Sequence, residues 1–309
     1  MPLPPDPVGN FDFPDPAATY HDGTYYAFGG VQAMASKGDL SSFGARWDYL
    51  SASPAWAQHD TRGGAPGAPV QLASGGWMMT FQGEEANCHR AVCTCIGAAF
   101  ATSLHVGVTF APAPKPLTCM AELDGAIDSS PRVLPSGEVV VYWKSTGFNS
   151  IARPSQLWVS RLAPDGSTLV GAPINLLNQT APWEARGGVG CAEAPALLQH
   201  GGNNYLFYSG GDWTAGRAGV PYSIGYATCE TAFGPCVKRT AAAPWFGPTY
   251  NGTVGPGGQE FFLDAGGAPW IVFHGWKEGD AGYENGGKRR VRFKPLGTGV
   301  MPSLMGWDG

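Results

Sequence analysis

The sequence predicts an all-β fold, a five-bladed β-propeller, on three observations. A glycine turn followed by an apolar, aromatic-rich strand occurs five times along the chain. The intervals between these turns are 53, 61, 65 and 65 residues, so they extend over the whole sequence. Gly or Pro interrupts nearly every stretch that is long enough to form a helix. A four-stranded blade takes roughly 40–65 residues, so five blades fill the chain, and the regular spacing disfavours a β-sandwich with coincidental hairpins.

The five hairpins follow one pattern. Each turn contains a glycine, which supplies the positive φ that a tight hairpin needs, and the next residues are β-branched or aromatic, as strands prefer. We expect the strand before each turn to be the innermost of its blade. The hairpins cover residues 21–28, 74–81, 135–142, 201–208 and 265–273, with marker glycines Gly23, Gly76, Gly137, Gly202 and Gly267.

Composition excludes several classes of protein. Of the 309 residues, 43% are hydrophobic and only 14% are charged, against roughly 25% charged residues in typical soluble domains. With 19 Lys and Arg against 24 Asp and Glu, no basic excess favours nucleic-acid binding. No apolar run approaches the length of about 20 residues that a membrane-spanning helix needs. No linker divides the repeats, so we expect a single monomeric domain over residues 1–309.

Seven cysteines and two glycosylation sequons favour a secreted protein. The cysteines show no paired CxxC motifs of the zinc-binding kind, so disulfides are the better interpretation. The sequons are Asn178-Gln179-Thr180 and Asn251-Gly252-Thr253. The start, Met1-Pro2-Leu3-Pro4, does not have the pattern of a signal peptide, and we expect a mature form with an added Met.

Carboxylates stand upstream of three of the five marker glycines. Asp15, Asp128 and Glu193 occupy what we align as one repeat-equivalent position in blades one, three and four. If the inner strands begin with these residues, the carboxylates converge at one end of the propeller axis. Converging carboxylates bind a cation or perform acid–base chemistry, as in glycoside hydrolysis. Taken singly, Asp15 and Asp128 could be turn residues and Glu193 a surface glutamate.

Four motifs, in order, resemble glycoside hydrolase family 43, whose members are five-bladed propellers that cleave arabinofuranosides and xylosides. The motifs are Phe13-Pro14-Asp15-Pro16 with its hairpin, Gly125-Ala126-Ile127-Asp128, Glu193-Ala194-Pro195, and Arg289-Arg290-Val291. Around Cys95 and Cys119 the sequence is similar to a secreted fungal branch of the family.

The resemblance implies a role for each carboxylate. Asp15 would be the general base that activates water, and Glu193 the general acid that protonates the leaving oxygen. Asp128 would raise the pKa of the acid and orient it. Family members invert configuration, which implies base and acid carboxyls roughly 6.5–9.5 Å apart. From the closing motif we choose Arg290 as a substrate contact.

Two departures from the family pattern affect the sugar site. Many members have a histidine in blade five that helps to hold a cation, where this chain has Gly258-Gln259. We therefore expect that no cofactor is required. The departure argues against a structural cation at the axis without excluding one. Gln259 becomes a candidate for binding substrate. Many members have Trp-Ala-Pro in blade two, which we align with Gly67-Ala68-Pro69. Phe13 and Trp77 are candidate stacking replacements, although core packing also explains Trp77.

The resemblance also implies disulfides Cys95–Cys119 and Cys229–Cys236, with Cys88–Cys93 as a weaker expectation. Cys191 would then be an inert buried thiol beneath the active site. Two further residues keep a structural explanation: Lys144 as a surface lysine, and His274 as a buried histidine that could also face the axis.

Four functions remain in competition. The first is an inverting, exo-acting α-L-arabinofuranosidase that acts on plant polysaccharides such as arabinan and arabinoxylan, or on oligosaccharides. The second, in the same family, is a β-xylosidase or β-D-galactofuranosidase. The third is a retaining, fructan-active propeller, which the motifs Asp-Pro-Ala and Glu-Ala disfavour. The fourth is a non-catalytic carbohydrate-binding propeller, which would be expected to lack one of the three carboxylates.

Overall fold

The computed structural model describes residues 3–58, 63–85, 93–145, 154–187, 190–214, 220–299 and 301–305. Within these ranges the chain forms twenty strands and two single-turn 3₁₀ helices, Ala121–Leu123 and Tyr283–Asn285. The strands make five four-stranded antiparallel sheets in chain order, so the predicted five-bladed propeller is confirmed. None of the described helices is long and apolar enough to cross a membrane.

Each blade takes four consecutive strands. Blade one contains β1–β4, which are Ala17–His21, Thr24–Gly29, Gln32–Lys37 and Trp47–Asp48. Blade two contains β5–β8, which are Val70–Gln71, Trp77–Glu84, Thr94–Ala101 and Ala111–Pro112. Blade three contains β9–β12, which are Ala126–Val133, Val139–Ser145, Gln156–Leu162 and Leu169–Asn178. Blade four contains β13–β16, which are Cys191–His200, Asn203–Gly211, Ser223–Cys229 and Cys236–Lys238. Blade five contains β17–β20, which are Thr249–Tyr250, Thr253–Leu263, Pro269–Lys277 and Arg290–Pro295.

The hairpin glycines behave as predicted, with one shift. Gly23, Gly137, Gly202 and Gly267 all have positive φ. In blade two the left-handed glycine is Gly75 rather than Gly76. The marker was therefore wrong by one residue there, because a Gly-Gly pair does not reveal from sequence which member takes the turn.

Five hydrophobic clusters hold the blades together, one at each interface between neighbours. Tyr142 packs against Tyr208 between blades three and four, and Phe207 against Phe261 between blades four and five. Equivalent clusters join blades one and two, two and three, and five and one. The second strand of blade three, Val139–Ser145, is buried along its whole length, and its first five residues are a continuous apolar run.

The N-terminal segment closes the ring. The backbone N–H of Val8 donates to the carbonyl of Val291 at 3.1 Å, and that of Phe13 donates to the carbonyl of Arg289 at 2.8 Å. Residues before blade one are thus bonded to the last strand of blade five.

Two of the expected disulfides are confirmed. Cys95 bonds to Cys119, and Cys229 bonds to Cys236 across neighbouring strands β15 and β16. Cys191 is a free, buried thiol, as expected. The expected Cys88–Cys93 bridge involves Cys88, which lies outside the described residues.

Candidate active site

One residue from each blade is brought to the propeller axis by a local distortion of its inner strand. The pairing register shifts once in blade three, once in blade four and twice in blade five, and such a shift is the signature of a β-bulge. Five residues at or before the inner strands adopt positive φ between 37° and 58°: Asp15, Ala65, Asp128, Ala194 and Gly258. Non-glycine residues rarely adopt this conformation, and such strain concentrates at functional sites. These five residues and their neighbours line one axial pocket.

This geometry corrects the alignment of the repeats. The blade-four equivalent of Asp15 and Asp128 is Ala194, and Glu193 stands one residue earlier. In blade two the equivalent residue is Ala65, so the segment that corresponds to Trp-Ala-Pro is Gly64-Ala65-Pro66 rather than Gly67-Ala68-Pro69. The error arose because residues 64–69 contain Gly-Ala-Pro twice.

Asp15 lies between a histidine and an arginine. Its backbone N–H donates to Nδ1 of His274 at 2.9 Å, and Nη1 of Arg289 lies 3.4 Å from both carboxylate oxygens. Burial raises the pKa of Asp15 and the Glu193 charge raises it further, while Arg289 opposes both, and the result lies above the ordinary value. The side chain is 30% exposed, so water reaches the carboxylate and limits this shift.

Arg289, not Arg290, is the arginine at the site. Its guanidinium lies over the rings of Trp213 and Tyr283, 4.8 and 5.5 Å from their centroids, and Nε donates to the Tyr283 hydroxyl at 2.9 Å. The choice of Arg290 as a substrate contact was wrong. Arg290 is buried and bonds to Asn10 and Asp280, because successive residues of an extended segment point to opposite faces.

Glu193 is a buried carboxylate held by two donors. Nζ of Lys144 lies 2.9 Å from Oε2, and the Tyr222 hydroxyl donates to Oε1 at 2.6 Å. Burial raises the pKa of Glu193, but the Lys144 charge and the hydrogen bonds outweigh burial, so its pKa lies below the ordinary value. We expected a raised pKa from burial beside Asp128, and the ion pair with Lys144 has the opposite effect. Lys144 is also not a surface residue, since it is 3% exposed.

Asp128 has the opposite electrostatic environment. Its Oδ2 accepts a hydrogen bond from the backbone N–H of Ala194 at 3.3 Å, and among the described residues it forms no ion pair. Burial, together with the charge of Glu193, raises the pKa of Asp128 to about 8. Asp128, Asp15 and Glu193 all act on one another electrostatically, so the three predicted carboxylates do meet at the axis.

Gln259 lines the axial pocket and also joins blades four and five. Its Nε2 donates to the carbonyl of Ala194 at 2.7 Å, and its Oε1 accepts from the Ser209 hydroxyl at 2.7 Å. The side chain therefore cross-links two blades at the pocket, and its contact with substrate stays a prediction.

Phe13 and Trp77 are core residues. The Phe13 ring is fully buried in the cluster between blades five and one, against Gly29 and Phe11. Trp77 packs between blades one and two. It also lines a second cavity, at the end of the inner strands that lies away from the carboxylates. Neither stacks on a sugar at the carboxylates, and Trp213 and Tyr283 are the aromatic rings near the site that we did not predict.

His274 occupies the space beside Gly258. A Cβ built on Gly258 would lie 2.6 Å from Nδ1 of His274 and 2.8 Å from Oδ1 of Asp15. Burial holds the pKa of His274 well below its ordinary value, so the ring is neutral, and Nδ1 accepts from Asp15. Within the described ranges, three potential metal-binding side chains cluster only at Glu85, Cys93 and Cys95, and disulfides engage both cysteines.

Comparison with known proteins agrees with this geometry. The profile of Glycosyl hydrolases family 43 matches residues 4–296. No curated protein sequence matches the chain. Among solved structures, a thermostable family-43 glycoside hydrolase superposes with a TM-score of 0.77 at 22% identity, covering 97% of this chain and 95% of that one.

Two solved enzymes with named activities share the fold. An α-L-arabinofuranosidase from Lactobacillus brevis has a TM-score of 0.74 at 18% identity, covering 94% of this chain and 93% of its own. An exo-1,5-α-L-arabinanase from a bovine ruminal metagenomic library has a TM-score of 0.70 at 19% identity, covering 93% and 94%. At such identities the likeness extends to the fold alone.

Proposed function

Since the chain belongs to glycoside hydrolase family 43, we propose that it is an inverting, exo-acting glycosidase that releases terminal α-L-arabinofuranosyl residues from plant polysaccharides or oligosaccharides. The observation that carries the proposal is the meeting of Asp15, Asp128 and Glu193 at the axial bulges. A binding module needs no group of strained, mutually repelling carboxylates, whereas an acid–base enzyme does.

In this proposal Asp15 is the general base. Its side chain is 30% exposed, against 9% for Glu193, and Arg289 beside it favours the ionised form that can accept a proton from water. A hydroxide equivalent forms as the water proton moves to Asp15. The water oxygen then attacks the anomeric carbon on the face opposite the leaving group, which inverts configuration.

Glu193 is the general acid and Asp128 is its electrostatic partner. Glu193 donates a proton to the glycosidic oxygen as the bond to the anomeric carbon breaks. The charge of Glu193 raises the pKa of Asp128, and the coupling works in both directions, so an ionised Asp128 makes protonation of Glu193 easier.

The choice of sugar rests on similarity. The structures with this fold include enzymes named for arabinofuranosides and arabinan, and also an endo-1,4-β-xylanase and a xylan β-1,4-xylosidase. A β-xylosidase is therefore the second candidate, and the same assay separates the two.

We also propose a secreted, glycosylated monomer. The chain contains the disulfides Cys95–Cys119 and Cys229–Cys236, and Asn178 and Asn251 of the sequons are both exposed. Light scattering tests the oligomeric state, and glycosidase treatment followed by mass spectrometry tests the two asparagines.

A panel of aryl glycosides tests the activity: α-L-arabinofuranoside, β-D-xyloside, β-D-galactofuranoside and β-D-galactoside. We expect the arabinofuranoside to be cleaved fastest, and Asp15→Asn to abolish its cleavage because water is no longer activated. Faster cleavage of the xyloside would replace the first candidate by the second. Folded protein that cleaves none of the four, nor arabinan oligosaccharides, would contradict the proposal and favour a binding module.

A further inference from the structure

Lys144 and Glu193 form a buried ion pair between two blades. Lys144 lies near the end of β10 in blade three, and Glu193 lies in β13 of blade four. Their charged atoms are 2.9 Å apart, and both side chains are less than a tenth exposed. Burial of an ion pair costs about as much in desolvation as the attraction returns, so stability alone gives little reason to keep one here.

The charges of the site do not balance without one bound proton. Three carboxylates face the axis, and two of them have a cation: Arg289 for Asp15 and Lys144 for Glu193. Asp128 has only the backbone N–H of Ala194 among its described partners. Asp128 is only partly exposed, and a carboxylate without a cation beside it takes up a proton more readily than a paired one.

The other titratable groups around Glu193 and Asp128 are uncharged. Burial raises the pKa of the Cys191 thiol and of the Tyr222 hydroxyl well above their ordinary values, and it lowers that of His274. Glu260, which also lines the axial pocket, is paired with Arg132. Among the described residues, the charge around Glu193 and Asp128 is therefore set by the three carboxylates and by Arg289 and Lys144.

We propose that Lys144 is a positioning residue for the reaction: its ammonium anchors the Glu193 carboxylate in the empty site and leaves the single proton of the three carboxylates on Asp128 until sugar binds. The raised pKa of Asp128 and the lowered pKa of Glu193 agree with this placement. The inference rests on the proposed function, because it concerns the same acid.

Bound sugar supplies the reason for the proton to move. The glycosidic oxygen is an acceptor and can receive a hydrogen bond only from a protonated Glu193. As the substrate binds, the O–H bond on Asp128 breaks and one on Glu193 forms, so the net charge of the site is unchanged. Asp128 then carries the negative charge, and Lys144 remains close enough to attract both carboxylates.

Blade four contains a matched group that serves as a control. Glu184 is buried, Nζ of Lys238 lies 2.6 Å from its Oε1, and the Tyr208 hydroxyl donates to the same oxygen at 2.9 Å. This group has the same three residue types as Glu193, Lys144 and Tyr222. Neither Glu184 nor Lys238 is among the main charges that shift the pKa of Asp15, Asp128 or Glu193, and the group has no role in the proposed reaction.

Infrared difference spectroscopy of the sugar-free enzyme locates the proton. We expect one protonated-carboxyl band at neutral pH that disappears in Asp128→Asn and persists in Glu193→Gln. In Lys144→Met we expect a second such band, because Glu193 without its cation takes up a proton, and this band should disappear in Lys144→Met/Glu193→Gln. Loss of the wild-type band in Glu193→Gln instead of Asp128→Asn would overturn the proposal, and this result needs only the two carboxylate variants.

The pH profile of kcat/KM gives the kinetic readout. We expect Lys144→Met to move the basic limb upward by about 1–3 pH units, since an opposite charge at this distance has been removed. Lys238→Met should leave the limb in place. Equal profiles for wild type and folded Lys144→Met would contradict the positioning role. The infrared result requires no substrate, so its failure would overturn the role of Lys144 and leave the glycosidase proposal standing. If the expected infrared bands appear but no glycoside is cleaved, only the glycosidase proposal is contradicted.

Discussion

Each of the three carboxylates differs from the others in its neighbours, and these differences assign their roles. Asp15 is partly exposed with an arginine beside it, Glu193 is buried against a lysine, and Asp128 forms no ion pair among the described residues. A base and an acid that work at the same pH need different surroundings. In this site Asp15 is placed to act as the ionised base, and Asp128 and Glu193 together hold the proton that the acid donates.

Arg289 should set the acidic limb of the pH profile. The guanidinium lowers the pKa of Asp15, and the base must be ionised. In Arg289→Met that pKa rises, so activity should be lost at higher pH, with an acidic limb about one unit above wild type. Arg290→Met is the neighbouring control, because Arg290 bonds to Asp280 and not to the site. An unchanged acidic limb in Arg289→Met would show that the pKa of Asp15 does not set this limb.

The role of Glu193 as acid predicts a dependence on the leaving group. Loss of a general acid typically costs about 10²–10⁴-fold, so Glu193→Gln should lose that much on oligosaccharides. On a dinitrophenyl glycoside, whose departure needs little protonation, the loss should be much smaller. Glu184→Gln, a buried glutamate with its own lysine, should show no such difference between substrates. Equal losses on both substrates in Glu193→Gln would rule out this role.

Sequence predicted the carboxylates better than the residues around them. Asp15, Asp128 and Glu193 were recognisable because each precedes a hairpin within a repeated pattern. Arg289 and Arg290 are adjacent in sequence, and only the phase of the strand decides which of them faces the axis. Lys144 follows an apolar strand, and its burial depends on a partner 49 residues away.

At the scale of the strand, bulges create the site. A left-handed residue lies in or before each inner strand near the same end, so five short segments turn towards one pocket, with bulges in blades three, four and five. The inserted residue is accommodated by local bending while the rest of the strand keeps its pairing.

Gly258 should tolerate no side chain. Its φ is 58°, and a Cβ would meet both His274 and Asp15, so Gly258→Ala adds overpacking of about 1–3 kcal/mol to the strain of a left-handed alanine. Gly267→Ala in the same blade has positive φ but open space around the new Cβ. We expect it to cost only the backbone strain, about 1–2 kcal/mol, and to keep full activity. Chemical denaturation and kcat should separate the two, and equal stability losses with equal kcat would refute the close approach at Gly258.

Hairpins were predictable and bulges were not. A turn glycine before an apolar run has a direct cause in backbone geometry, so all five hairpins were found within one residue. The repeat-equivalent positions in blades two and four were misaligned, because the recurring Ala-Pro pair does not show which residue takes the left-handed conformation. A register shift is a relation between two paired strands, so the sequence of one strand alone does not reveal it.

For the whole molecule, the ring depends on the contact between the N-terminal segment and blade five. Asp6 lies 3.2 Å from Nε of Arg292 and 2.5 Å from Nζ of Lys294, both buried in β20. The segment therefore neutralises two cations of the last strand as well as bonding to its backbone.

Asp6→Asn should destabilise the propeller. It leaves two buried cations without their carboxylate, and we expect a loss of about 2 kcal/mol in the free energy of unfolding, below the full value for a buried pair because Asp6 is partly exposed. Glu138→Gln, which removes an exposed pair with Arg161, should cost less than about 1 kcal/mol. Equal losses of unfolding free energy in Asp6→Asn and Glu138→Gln, measured by urea unfolding, would show that the contact of Asp6 with blade five stabilises the fold no more than an exposed ion pair does.

Blade number and order followed from the spacing of repeats, because each blade is built from strands consecutive in sequence. The closure could not be predicted, since it joins Asp6 to residues almost 290 positions later and no local pattern marks it.

The central claim is that Asp15 activates a water molecule that attacks the sugar from one side, while Glu193 protonates the leaving oxygen on the other side. Proton NMR of the first sugar released from an aryl α-L-arabinofuranoside tests it most directly, recorded before the anomers equilibrate. The account predicts that the β-anomer appears first. Initial release of the α-anomer would mean that configuration is retained, and it would contradict the assignment of Asp15 as a base that activates water.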